Sequence, residues 1–188
     1  MNLGRAVKTH LQELISRASP LTGDFFRSVA FHHIHPDDVV SGQGTCLHGG
    51  RFVPRGVPAV YASLEEETAL REATGRKRMI SGRSRIDLRD YPRMTYIIRI
   101  ATQRNLDLSL PLPPELENLL TRSLRLGSHS VSQALGAICI EAGIESVVFP
   151  SATGSGRNVV VYLPNTSAGG AIVLNRAAVL AALLPLKP

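Results

Sequence analysis

The residues best equipped for chemistry stand in one stretch, Gly49 to Glu72, which reads GGRFVPRGVPAVYASLEEETALRE. Arg51 arrives on two glycines, Tyr61 sits in a short apolar run, and Glu72 closes a segment that carries several acids. An arginine grips phosphate through two parallel N–H bonds, and a carboxylate stabilises a cation that develops beside it. A loop cation and a helix anion brought to neighbouring element ends suit a ligand with phosphates at one end and a developing positive charge at the other. Each residue also has a purely structural use. Glu72 can pair with Arg76 four positions on, Arg51 can be a surface loop residue like Arg55, Tyr61 can be core, and Ser151 after Pro150 can open a turn.

Two further groups draw the eye and say less. His32, His33 and His35 have no cysteine or carboxylate at a diagnostic spacing, so no metal site is expected. Eight Arg and Lys residues between Arg71 and Arg93, among them Arg76, Lys77 and Arg78, make a basic flap. Aromatic residues do not alternate with these charges, as stacking on nucleic acid requires, so an acidic protein surface is an equally good partner.

The elements that must position these residues can be read from pattern. Leu3, Val7, Leu11, Leu14 and Ile15 fall at helical spacing within residues 1–18, with charges between them, so this is an amphipathic helix and not an export signal. Asp24 to Phe31 reads as a strand carrying Arg27, and His35 to Gly50, rich in turn formers, reads as a long loop. Ala59 to Ala62 is a strand, after which Ser63 and Glu66 form an S-x-x-E capping box for a helix from Leu64 to Thr74 that stops at Gly75. Glu67 is placed to pair with Arg71. Met94 to Ala101 and Asn105 to Leu110 read as two strands, Pro114 to Leu126 and Ser130 to Ala142 as helices. Ser146 to Phe149 and Asn158 to Leu163 are strands joined by PSATGSGR. Strands and helices mix without a regular β-α-β rhythm, so the fold class is α+β.

The chain has 188 residues, 44% hydrophobic and 19% charged, which fits one globular domain with its own core and argues against disorder. A net charge of +6 favours a polyanion, an acidic protein or a phosphate-bearing ligand. Cys46 and Cys139 are expected as reduced thiols of a cytoplasmic protein. The apolar tail from Ala177 to Leu186 is too short to span a bilayer, so no membrane segment is expected.

Taken together, G-G-R-F, the tyrosine ten residues on, Ser63 followed by E-T-A-L-x-E, and the later F-P-S-A and G-R-N-V-V-V-Y resemble the RES-domain toxins, named for an arginine, a glutamate and a serine. The resemblance runs from about Arg27 to Tyr162. It implies that Arg51, Glu72 and Ser151 are the arginine, glutamate and serine, with Ser130 at the start of the late helix as a second candidate for the serine. Arg27 matches an additional upstream arginine and Tyr61 an active-site tyrosine. Some members follow the upstream arginine with a tyrosine where this chain has Ser28, which leaves Phe31 or Tyr61 to stack in its place.

The resemblance further implies an ADP-ribosyltransferase-like mixed β core with flanking helices, residues 1–20 forming an N-terminal helix and 21–188 the catalytic domain. It implies cleavage of NAD+, the substrate, at the nicotinamide–ribose bond by hydrolysis, phosphorolysis or ADP-ribosyl transfer to a protein. Glu72 would stabilise the ribosyl cation, Arg27 and Arg51 would hold the pyrophosphate, Tyr61 would pack on a ring, and a serine would orient the ribose or the carboxylate. The implied partner is a helix-turn-helix, Xre-like antitoxin, with DNA reached only through it. The alternative is a basic nucleic-acid-binding module or a nuclease-type toxin.

Overall fold

The computed structural model describes residues 5–30, 35–80, 93–125, 129–167 and 169–175. In chain order the elements are α1 (Arg5–Ser16), β1 (Ser19–Ala30), α2 (Pro36–Val40), α3 (Gln43–His48), β2 (Ala59–Ser63), α4 (Glu66–Ile80), β3 (Arg93–Asp107), α5 (Pro114–Arg125), α6 (Ser130–Glu141), β4 (Ser146–Pro150), β5 (Arg157–Tyr162) and β6 (Ala171–Val173). The α+β class and the mixed sheet core with flanking helices stand as expected.

The six strands lie in the order β1-β2-β5-β4-β3-β6, and β1 also pairs with β3, so the pairings close on themselves. Two groups result, β6-β3-β1 and β2-β5-β4. They join at the pair Phe26↔Ser63 on one side and over Asn105↔Ser146 to Asp107↔Val148, the only parallel stretch among the described residues, on the other. Alternate residues of the strands then bury on opposite faces. Val60, Ala62, Val148, Val159 and Val161 meet Phe25, Tyr96, Ile98 and Ile100 in one cluster, between the two groups. Ala59, Val147, Phe149, Val160 and Tyr162 meet Leu11 of α1, Leu116 and Leu120 of α5, and Leu135 and Cys139 of α6 in the other. Both faces are covered, which is why β2, β4 and β5 read as almost unbroken apolar runs. Leu11 is fully buried, so α1 belongs to this core.

Several expectations need correction. Met94 to Leu110 is one strand to Asp107, because Thr102 to Arg104 contains no breaker and the strand pairs with β1 from Asn105 down to Arg93. It ends where Asp107 Oδ1 accepts from Ser109 N (2.8 Å) and Ser109 Oγ (2.5 Å) in a local turn. The strand at Asp24 begins earlier, at Ser19, with an irregularity between Ser19 and Leu21.

The stretch His35 to Gly50 holds two short helices. Pro36 opens α2 with His35 Nδ1 accepting from Asp37 N at 3.4 Å, and Gly42, at φ 69°, leads into α3. The helix expected from Leu64 to Thr74 starts at Glu66 and runs through Gly75 to Ile80, so neither the Ser63 box nor the glycine stop sets its ends. β6 was not anticipated. Among the described residues no helix is long and apolar enough to cross a membrane. Phe31, His32, His33, Arg83, Arg85, Arg89 and the tail from Ala177 fall outside the described residues.

Candidate functional site

The site is assembled where α4, the end of β4 and the start of β5 come together. Thr68 and Ala69 are buried on the inner face of α4, and Glu72 stands one helical turn beyond Thr68 on that face. Opposite them, β4 and β5 are joined by a loop in which Gly154 (φ 135°) and Gly156 (φ 113°) take backbone conformations that side chains resist. Gly156 also lies so close to α4 that a Cβ there would stand 2.1 Å from Thr68 Oγ1. The loop is tied to the helix along its length. Arg71 Nη2 donates to Ser155 O (3.0 Å), and Glu65 Oε2 accepts from Arg157 N (3.2 Å) and from Thr68 Oγ1 (3.0 Å). Glu67 pairs with Arg71 at 3.2 Å, as the spacing predicted.

Glu72 is the centre of this arrangement. Its Oε1 accepts from Ser151 Oγ at 2.7 Å, from Asn158 Nδ2 at 2.8 Å and from Ala152 N at 3.2 Å. Three donors converge on this one oxygen in a partly enclosed place. One residue away, Arg51 Nη1 donates to Pro150 O at 3.0 Å. Cation and anion are thus brought to the same turn, Pro150 to Ala152.

Arg51 is only 7% exposed, and its guanidinium carbon lies 5.2 Å from the Phe52 ring centre and 5.1 Å from that of Phe149. It is no loose surface arginine. The two rings, packed on each other at 4.6 Å, lie on one side of it within cation–π range and restrain it, which suits a phosphate-binding fork.

Tyr61 and Arg27 complete the set. The Tyr61 hydroxyl accepts from Phe52 N at 2.9 Å, and its ring meets Phe149 edge-on at 6.2 Å. A Cβ on Gly50 would lie 2.6 Å from the Tyr61 oxygen, so a glycine is needed for the chain to pass over this ring. Tyr61 therefore fixes the peptide that carries Arg51. Arg27 Nη1 donates to Tyr61 O at 2.7 Å, which secures β1 to β2 near the pair Phe26↔Ser63. Ser28 Oγ accepts from Arg93 Nε at 3.2 Å.

The two candidate serines occupy different places. Ser151 is the one bonded to Glu72. Ser130 is exposed as the first residue of α6, and Gln133, in the same turn, donates Nε2 to Gly50 O (2.9 Å) and Val53 O (3.4 Å). Ser130 is thus on the Arg51 side of the site. Asn158 and Ser63 were not singled out as site residues. Ser63 was read as a cap, yet it lies 3% exposed in β2 with its hydroxyl donating to Asn158 Oδ1 at 2.7 Å. The available signal was the polar Asn158 heading a run of three valines.

The sequence profile described as the RES domain matches residues 25–181, a span that includes Arg27, Arg51, Tyr61, Ser63, Glu72, Ser130, Ser151 and Asn158. The chain belongs to the RES-domain family. The fold of this RES chain is also similar to that of a chain in the crystal structure of the M. tuberculosis MbcT–MbcA toxin–antitoxin complex. That match has 19% identity and a TM-score of 0.71, and it covers 96% of this RES chain and 98% of the other. No curated protein matches it.

Proposed function

We propose that this RES chain is the toxin of a toxin–antitoxin pair and cleaves NAD+ at the bond between nicotinamide and ribose. The observation that carries the reading is the shared turn. Glu72 is anchored on Ser151 and Ala152, while Arg51 is anchored on Pro150 O next to them. A dinucleotide carries its pyrophosphate and its cationic ring on opposite sides of one ribose, and an arginine and a carboxylate at such close quarters match that polarity.

When the bond breaks, its electron pair leaves with nicotinamide, which becomes neutral, and the ribosyl carbon acquires positive charge. A fixed carboxylate stabilises that charge more in the transition state than in the ground state. Water, phosphate or a protein side chain then adds to the ribosyl carbon. Arg51 and Arg27 serve the pyrophosphate, Tyr61 holds the Arg51 peptide and offers a ring edge, and Ser130 faces the ribose from α6. No metal takes part in this scheme.

The partner is a helix-turn-helix, Xre-like antitoxin inside the cell, through which any contact with DNA is made. The M. tuberculosis complex, whose chain shares this fold, supports the pairing. A nucleic-acid-binding or nuclease reading draws little from the described residues. Of the basic run, Arg71 is held by Glu67 and Ser155, and Arg93 by Ser28.

The test is to incubate the purified chain with NAD+, with and without phosphate and with cell extract, and to identify the products. Free nicotinamide with ADP-ribose, ADP-ribose phosphate or a modified protein distinguishes the three reactions. Intact NAD+ in all three, or activity on nucleic acid that falls steeply with salt, would overturn the reading.

A further inference from the structure

Among the described residues, Glu72 is held by one oxygen. Its three hydrogen bonds all end on Oε1, and no described residue donates to Oε2. Two of the donors, Ser151 and Ala152, belong to the glycine-bearing loop, whereas the third belongs to a strand. Asn158 is 6% exposed and is the register partner of both Ser63 on β2 and Phe149 on β4, so the sheet sets its position.

A side-chain amide can turn either its oxygen or its NH2 toward a carboxylate, and only the second is attractive. A carboxylate only accepts, so Glu72 selects the NH2, and Ser63 holds the other end of the amide. The buried Ser63 hydroxyl donates to Asn158 Oδ1 at 2.7 Å, with Nδ2 directed at Glu72. Both residues are out of reach of bulk water, so a lost bond here is poorly replaced by solvent.

We propose that Asn158, secured at its other end by Ser63, is a positioning residue that makes the two oxygens of Glu72 inequivalent, with Oε1 the anchored atom and Oε2 the atom that meets the ribosyl cation. The proposal rests on the NAD+ reading for the identity of the substrate, though not for the anchoring itself. With Oε1 fixed at three points, the plane of the carboxylate is set before substrate arrives, and Oε2 needs no reorganisation during reaction. The loop bonds alone would let the carboxylate follow the loop.

The experiment uses Asn158→Ala, the near-isosteric Asn158→Asp, which replaces the donor with an acceptor, and Ser63→Ala. Each variant is measured for NAD+ turnover and unfolding temperature, and each is crystallised. Asn158→Ala should lower kcat about 10- to 100-fold with KM changed less than about threefold, the scale of one hydrogen bond to a charged group. Asn158→Asp should lose at least as much. Ser63→Ala should lose less, and should add no loss in the Asn158→Ala background, because it acts through Asn158.

In the crystals of both Asn158 variants the Glu72 carboxylate should leave its position against Ala152 N. A kcat within twofold of the starting chain, or losses of the two alanine variants that simply multiply, overturns the proposal. So does a Glu72 carboxylate that keeps its place in both Asn158 variants. The crystallographic arm decides even if NAD+ proves not to be the substrate, in which case the starting chain itself turns none over.

Discussion

At the scale of single residues, Glu72 and Arg51 are distinguished by what each would lose. Glu72→Gln keeps an oxygen able to accept from Ser151, Ala152 and Asn158 and removes only the charge. NAD+ turnover should fall by about 100-fold or more while NAD+ affinity stays within about threefold, because the charge matters most in the transition state. Activity within tenfold would remove Glu72 from that role. Arg51→Ala removes a buried side chain packed against two rings as well as the proposed phosphate ligand. It should weaken NAD+ binding by about 10- to 100-fold and also cost about 1–2 kcal/mol of stability. Calorimetric titration and thermal unfolding measure the two effects separately, and an unchanged dissociation constant would return Arg51 to a purely structural part.

At the scale of elements, the position of Arg51 depends on how α6 rests on the segment below it. Gly136, in the middle of α6, lies against the Phe52 backbone so closely that an added Cβ would stand 1.8 Å from Phe52 O and 2.6 Å from its carbonyl carbon. Backbone cannot step aside as a side-chain tip can. Gly136→Ala should therefore destabilise by about 1–3 kcal/mol, lowering the melting temperature by about 2–12 °C, and should reduce NAD+ turnover by displacing the neighbouring Arg51. Gly44→Ala in α3 is the control, since nothing stands within 4 Å of a Cβ there. It should be neutral or stabilising by up to about 1 kcal/mol through helix propensity. Equal melting temperatures for the two variants would mean that α6 does not bear on the Phe52 peptide as described.

At the scale of the whole molecule, the core and the surface charge each have a consequence. Burial pushes the Cys139 thiol up to about 12 from an ordinary value of 9.0, and burial likewise raises Tyr162 well above 10.0. Unfolding releases both groups to ionise at their ordinary values. Between about pH 9 and pH 12 the unfolded chain therefore binds fewer protons than the folded one, and stability falls as pH rises. Urea midpoints should hold steady up to about pH 8.5, where an exposed thiol starts to ionise, and decline above it. A midpoint unchanged at pH 10.5 would contradict this burial.

The net charge of +6 bears on the proposed antitoxin. Because Arg51 is nearly enclosed, an inhibitor must reach it with an extended acidic or carboxylate-ended segment and cannot do so with a flat face. NAD+ and antitoxin should then be mutually exclusive, with Arg27 or Arg51 in contact with the antitoxin. A stable ternary complex with nicotinamide nucleotide beside Glu72 would instead place the antitoxin at a distance, for example on α1.

The sequence by itself determined the class of fold and most of the elements, and it pointed to the neighbourhood of the candidate site. β2, β4, β5, α5 and α6 were legible because local periodicity reports which faces are buried, and the Gly49 to Glu72 stretch because its chemistry is compressed into two dozen residues. The errors were also local. A strand across Thr102 to Arg104, with Thr102 buried, is stabilised by pairing and packing that override weak propensity, and the helix runs on through Gly75.

What only the tertiary structure decided is who touches whom. The bonds joining Ser151 and Asn158 to Glu72, Ser63 to Asn158 and Arg51 to Pro150 span 79 to 99 residues. They exist because the register of β2, β5 and β4 places Ser63, Asn158 and Phe149 in one row beneath α4. A shift of one residue in that register would turn Asn158 to the opposite face, and no pattern within a single segment records the pairing. The same register places the serine of the β4–β5 loop, Ser151, on the carboxylate, while Ser130 opens α6, whose Gln133 bonds the segment around Arg51.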